Sequence, residues 1–173
     1  MSASEITAQS DYEDLTQMRL DDDQLAELVG QGGECVFNWT NRDGYPVGVV
    51  VAYVFRDGTF WTTCAEHRKR VPALSKRPQS AIVINQGGRT ATFKGDSTIH
   101  THDDDDWDEV SSWFYDQLSG VASSRADAHR QSFRRLLDSD NRVIIETPAR
   151  LVVGFDGHKF RAVTAAAIEA GLA

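Results

Sequence analysis

Residues 59–78 read TFWTTCAEHRKRVPALSKRP, and the assignment of the whole chain turns on them. The stretch begins as a strand, Thr59 to Thr63, where β-branched and aromatic residues sit side by side. It then runs into three consecutive cations, Arg68, Lys69 and Arg70. Thr63 and Glu66 carry the Thr-x-x-Glu spacing of a capping box. Pro72 is tolerated only in a first turn, which predicts a helix beginning near Val71. Pro78 stops it. Free amide donors at a helix start, beside hydroxyls and fixed positive charge, suit a phosphate dianion. The same cations also read as a plain solvated basic turn.

The surroundings make those cations stand out. The chain has 173 residues and a net charge of −8. That balance argues against a non-specific nucleic-acid binder, which needs a dominant positive surface. Hydrophobic residues are 40% and charged residues 25% of the chain, the composition of a globular protein. A chain of this length forms one domain and buries roughly 70% of its unfolded surface. Two cysteines, Cys35 and Cys64, make no disulfide framework, so a reducing cytoplasm is expected. The acidic N-terminus lacks the apolar run of a signal peptide. No apolar stretch approaches the roughly 20 residues that span a bilayer, so no membrane role is expected.

Upstream, residues 1–19 read as a mobile arm rich in Ser, Thr and acids. Leu20, Leu25, Leu28 and Val29 recur at helical spacing, with Asp21 or Asp22 as the cap and Gly30 as the end. Cys35 to Trp39 is a strand, and Asn41-Arg42-Asp43-Gly44 a turn. Tyr45 to Phe55 (YPVGVVVAYVF) is apolar on both faces, which predicts one strand buried on both sides. Gly48 and Ala52 on one face leave room for a ligand ring or another subunit, or mark close packing in a barrel. Arg56-Asp57-Gly58 turns the chain, so 46–55 and 59–63 form a hairpin.

Downstream, Ala81 to Asn85 and Arg89 to Ser97 are strands around Gln86-Gly87-Gly88. Gly95 marks a bulge or corner. Asp103 to Asp106 precede a helix bearing Trp107, Val110, Trp113 or Phe114, and Leu118, and suit its positive end. That accounts for the acids without a metal, despite His100 and His102. A second helix covers 125–137, with Ala126, Phe133, Leu136 and Leu137 inward and Arg130, Arg134 and Arg135 outward. Strands Arg142–Thr147 and Leu151–Phe155 flank Pro148. Asp156-Gly157 turns the chain into a terminal helix or tail, 162–173. Tight turns between strands predict antiparallel pairing in a small barrel.

The order of these motifs resembles the split-barrel flavin-binding family related to pyridoxamine 5′-phosphate oxidase. The matching residues are Asp43-Gly44-Tyr45-Pro46, Thr62-Thr63, Arg68-Lys69-Arg70, Leu74-Ser75-Lys76-Arg77-Pro78, Gly95 and the Asn141–Pro148 run. The resemblance covers roughly residues 20–160. It implies a mainly β fold with inserted helices: an antiparallel six- to seven-stranded split barrel over 20–161.

The resemblance also implies a cofactor, FMN or, in an actinobacterial branch with similar spacing, the deazaflavin coenzyme F420. Thr62 and Thr63 would lie along the ribityl chain or its phosphate. Arg68 with Arg70, or Arg68 with Lys69, would grip the phosphate, since three cations stand where the family uses two. Val49, Val50 and Val51 would face the ring system. Thr90 stands where the oxidases place a ring-contacting glutamine, a departure that counts against amine-oxidase chemistry. Phe155 falls near their late aromatic, while their substrate-binding arginine has no clear counterpart, although Arg161 is nearby. No catalytic side chain is implied, because the flavin carries the chemistry. The implied activity is hydride transfer to or from a small conjugated organic substrate, in a homodimer with cofactor sites at its interface. The alternative is a non-catalytic split-barrel module that holds flavin, deazaflavin or haem.

Overall fold

The computed structural model describes residues 15–122, 127–169 and 171. Nine strands, β1 (Glu34–Thr40), β2 (Pro46–Ala52), β3 (Val54–Arg56), β4 (Thr59–Ala65), β5 (Gln79–Gln86), β6 (Arg89–Asp96), β7 (Thr98–His100), β8 (Arg142–Pro148) and β9 (Leu151–Asp156), form two sheets. One sheet has the order β2-β1-β5-β6-β9 and the other β3-β4-β8-β7, and every pairing is antiparallel. This is the expected antiparallel split barrel, built as two sheets rather than one closed cylinder. The helices are α1 (Asp22–Gly30), α2 (Arg70–Lys76), α3 (Trp107–Ala122), α4 (Asp127–Leu137) and α5 (Gly157–Glu169).

Alternation builds the interior. In β4, Phe60, Thr62 and Cys64 are buried while their neighbours are only partly so. Phe60 and Cys64 meet Phe37, Ile82, Ile84, Ala91 and Phe93 from the other sheet. The Phe60 ring lies 4.8 Å from that of Phe93 and 4.7 Å from that of Phe55. Helix α3 covers the opposite face of the four-stranded sheet, packing Val110, Phe114, Tyr115 and Leu118 against Val54 and Ile144. Phe114 is the buried member of the Trp113–Phe114 pair, and Trp113 packs at the edge.

Asp21 is the cap of α1. Its carboxylate accepts from Gln24 N at 2.8 Å, and Gln24 Oε1 accepts from Asp21 N at 3.1 Å, a complete capping box. The box expected at Thr63 and Glu66 does not form, because Thr63 belongs to β4 and Glu66 N donates to Asn141 O. The cation-bearing helix starts at Arg70 with Lys69 as a cap that makes no side-chain bond.

The predicted continuous strand over 46–55 is broken at Tyr53. That residue is 1% exposed, its hydroxyl donates to Val29 O at 3.1 Å, and its N–H donates to Gly33 O at 3.3 Å. The N–H bond extends the β1–β2 register by one pair beyond Glu34 and Ala52, while the hydroxyl ties the residue to the end of α1. The chain there passes from one sheet to the other. Hence β2 pairs with β1, and only β3 forms the hairpin with β4. Nor is the stretch buried on both sides: β2 is an edge strand, and Val50 is 58% exposed.

Other expectations shift in detail. Gly95, expected at a bulge or corner, sits in register opposite Ser80 with no bulge, where β6 meets Pro148 of the other sheet. Leu136, expected inward, is 59% exposed, whereas Arg134 lies 5.4 Å over the Tyr115 ring. Gly157 opens α5 instead of a turn, because Asp156 accepts from His158 N and Lys159 N as its cap. Of the expected arm, 1–14 lies outside the described residues, while Leu15–Met18 is a short 3-10 turn with Met18 buried. Ala126 also lies outside the described residues. No helix among them is long and apolar enough to cross a membrane.

Candidate functional site

Helix α2 presents Lys69, Pro72, Ala73 and Lys76 to one groove, with Arg77 just beyond its end. The spacing of three and four residues places them on one face. The opposite wall is Trp39 and Val47, direct cross-strand partners on β1 and β2. The end wall is the turn carrying Asn41, Arg42 and Asp43. The groove encloses about 730 Å³, within the range that holds a cofactor-sized ligand.

Local hydrogen bonds shape that end wall. Asn41 Oδ1 accepts from Asp43 N and Tyr45 N, each at 2.9 Å. Gly44 completes the turn at φ +86°, a conformation that disfavours a side chain. Arg77 Nη2 reaches across from α2 and donates to Asn41 O at 2.7 Å and Thr40 O at 3.3 Å. The lining holds four cations, Arg42, Lys69, Lys76 and Arg77, and one carboxylate, Asp43, which pairs with Arg42 at 3.3 Å. On a chain of net charge −8 this is a local positive field facing a partly apolar floor.

The three consecutive cations part company. Lys69 lines the groove. Arg68 is exposed on the turn before α2, its N–H donating to Ala65 O at 3.0 Å. Arg70 turns back, and Nη2 donates to Thr63 O at 3.4 Å. That carbonyl is free because β3 pairs with β4 only as far as Trp61. Arg70 Nε is buried with no protein partner. Burial pushes the nearby Cys35 thiol up to about 12, against the lowering influence of the Arg70 charge.

The remaining predicted residues divide by strand parity. Thr62 is buried inside the barrel at 2% exposure. Thr63 faces the other way, its hydroxyl donating to Val143 O at 2.8 Å and accepting from Arg142 Nε at 3.4 Å. As adjacent strand residues, the two point to opposite faces of the sheet. Val49 and Val51 likewise pack toward the core, and Val50 points outward. Val50, Thr90 and Phe155 share the outer face of the five-stranded sheet, where Thr90 and Phe155 are direct cross-strand partners. Thr90 Oγ1 donates to Asn85 Oδ1 at 3.3 Å.

A second hollow of about 450 Å³ lies on that outer face, lined by Asn38, Thr40, Pro46, Ala81 and Leu151 among others. It and the cationic groove flank the Trp39 end of β1. The space expected beside Gly48 is already filled: a Cβ there would lie 2.8 Å from Asn38 Oδ1 and 3.0 Å from Val36 Cγ1. Asn38 is held across this face by donating to Val36 O and Ala81 O. Arg161 contacts His158 Nδ1 at 3.0 Å beside Gly88, away from the groove. Among the described residues no group of three or more His, Cys, Asp or Glu side chains is placed to hold a metal.

Trp39, Arg42 and Arg77 were not among the residues singled out as binders. Lys76, also outside that set, had a signal: it follows Lys69 by seven positions, two turns of a helix, whereas Arg77 stands past the helix end in extended backbone and had none. Trp39 and Arg42 had none, because their position depends on how β1 and β2 meet α2.

No family model and no curated protein matches the chain. Solved structures do. The conserved hypothetical protein Rv2991 from Mycobacterium tuberculosis superposes with a TM-score of 0.70 at 16% identity, over 84% of this chain and 91% of that one. A pyridoxamine 5′-phosphate oxidase-related, FMN-binding protein from Nostoc punctiforme gives 0.57 at 10% identity, over 79% and 86%. An F420 reductase gives 0.54 at 14% identity, over 73% and 94%. The chain therefore has the split-barrel fold of the pyridoxamine 5′-phosphate oxidase-like proteins, in agreement with the resemblance of its motifs.

Proposed function

We propose that this chain is an oxidoreductase that uses FMN or coenzyme F420 to move hydride to or from a small conjugated organic substrate. The observation that carries this reading is the groove beside α2, where Lys69, Lys76, Arg77 and Arg42 gather on an otherwise acidic chain. Structures of the same fold that bind FMN or are described as an F420 reductase support the cofactor class.

The residues present fit the anionic end of such a cofactor. Lys69 faces the groove and Arg68 is exposed on the adjoining turn, so this pair supplies the charge-assisted bonds to phosphate. Arg77 adds a buried Nε that has no protein acceptor. Val50, Thr90 and Phe155, the expected ring contacts, lie on the outer face of the larger sheet, whereas Trp39 and Val47 of the groove belong to the face that carries Phe37 and Val49. When bound, the ring system supplies the hydride chemistry. The chain's part is to bind, to orient and to exclude water.

The reading includes a homodimer. Register aligns Val50, Val36, Val83, Thr92 and Val153 in one row across all five strands of the larger sheet. Val50 is 58% and Val153 55% exposed. Among the described residues no helix covers this row, and a second copy presenting the same row is its complement. The ring would then lie between two chains.

The test is a titration of purified protein with FMN and with F420, followed by turnover with the reduced cofactor and candidate acceptors. Binding of either cofactor with a phosphate-dependent affinity, and consumption of the reduced form, are the expected results. Protein that binds neither sinks the reading.

A further inference from the structure

We infer that α5 is a dimerisation arm: its exposed apolar stripe, led by Phe160 and Ile168, packs on a second copy of this chain beside the seam of the larger sheet. This rests on the homodimer of the reading above and deepens it, since that seam stops at β9. Nine large apolar side chains are exposed among the described residues, and five of them, Leu151, Val152, Val153, Phe160 and Ile168, lie on β9 and α5. Such a concentration marks an interaction surface, whereas apolar residues scattered singly need no explanation.

The two elements form one surface. β9 is the outermost strand of its sheet and carries no charge from Leu151 to Phe155, so it has none of the charges that guard an open edge. It runs directly into α5, and across the junction the Phe155 and Phe160 rings lie 5.8 Å apart. Phe155 belongs to the outer face that carries the β-branched row, so the stripe of α5 begins beside that row. A two-fold partner that covers the row therefore lies against the stripe as well.

The helix is underpacked in the single chain. Gly157 is its one buried residue, and none of its side chains belongs to either hydrophobic core cluster. Its ties to the rest of the chain gather in the first turn, where Asp156 caps it and Lys159 Nζ donates to Arg19 O at 2.9 Å. A helix of 13 residues is marginal in water unless it buries an apolar face. Such a face is present: Val163 and Ala167 are half-buried, and beside them Phe160, Thr164 and Ile168 follow at intervals of four residues and are exposed.

The test is the oligomeric state of the full chain across a range of concentrations, by light scattering, with amide exchange followed over residues 160–168. Wild type is expected to be a dimer whose α5 amides exchange more slowly as the dimer fills. Phe160→Lys with Ile168→Lys alters two exposed residues and should dimerise about tenfold more weakly or worse, with an unchanged far-UV spectrum. A double variant that dimerises like wild type overturns the inference and leaves the seam on the sheet alone. Equal exchange of α5 in monomer and dimer also overturns it, and protection already complete in the monomer gives the stripe to another segment of the same chain. Wild type that stays monomeric at every concentration removes the homodimer and the inference together, and leaves cofactor binding to its own titration. Should the double variant unfold, Ile168→Ser at the far end of the helix decides.

Discussion

Gly95 and Pro148 touch where the two sheets cross: a Cβ on Gly95 would lie 2.0 Å from the Pro148 carbonyl oxygen. Around this contact Ser80, Ser97 and Thr147 link their hydroxyls, at 2.7 Å and 2.8 Å, and all three are buried. The neighbouring atom is backbone, so it cannot swing away. Gly95→Ala is expected to cost about 3 kcal/mol, read as a lowered midpoint in urea. An alanine variant as stable as wild type would mean that the sheets stand further apart than described.

The two thiols should be silent in the folded protein. Cys35 is 3% and Cys64 4% exposed. Burial holds the Cys35 thiol protonated, with its pKa pushed up to about 12 despite Arg70. Thiolate is the reactive form. A disulfide reagent near pH 8 should therefore modify neither until denaturant is added, and then both. Rapid labelling of native protein would contradict the packing.

Asp156 should make stability fall in acid. Burial by itself would raise its pKa, but the His158 and Lys159 amides, then the charges of Arg89 and Lys159, hold it below the ordinary value. A carboxyl depressed by folding contributes stability above its unfolded pKa of about 3.9 and loses it as pH falls through the folded value. Asp156→Asn keeps a cap for α5 and removes this pH response. Asp156→Ala removes both and costs about 1–2 kcal/mol at neutral pH. Thermal melts across the acid range distinguish the two. An unchanged acid slope in Asp156→Asn would show that the carboxylate is not stabilised there.

The neighbours Lys69 and Arg70 should fail in different ways. Lys69→Ala removes a groove cation, so cofactor affinity should drop about tenfold or more with little change in melting temperature. Arg70→Ala uncaps the Thr63 carbonyl and should lower stability by about 1 kcal/mol while affinity holds. The opposite pattern would return the phosphate to Arg70.

The β-branched row should be the seam of the dimer. Val50→Lys with Val153→Lys places charges at both ends of it, on residues already exposed in the single chain. The expected outcome, by light scattering, is a folded monomer in place of a dimer. A dimer that persists would assign the seam to another face.

Much of the fold was legible because it is local. Tight turns at Asp43-Gly44, Asp57-Gly58 and Gly87-Gly88 carry positive φ, and they alone impose antiparallel neighbours. Period-2 burial in β4 and helical spacing from Trp107 to Leu118 likewise depend only on nearby residues. The order of those motifs was enough to identify the split barrel.

Residue chemistry and spacing settled the strands, the turns and the presence of a cationic stretch. Tertiary contacts decided where the strand from Pro46 breaks, since Tyr53, its hydroxyl held by Val29 O at the end of α1, is where the chain passes from the larger sheet to the smaller one. They also decided which cations share a groove: Lys69 with Arg77, and not with Arg70, whose guanidinium answers a carbonyl left open by the short β3. Neighbours in sequence share a local conformation. Which of them share a surface depends on where distant backbone groups are left without partners, and only the folded chain puts those groups in place.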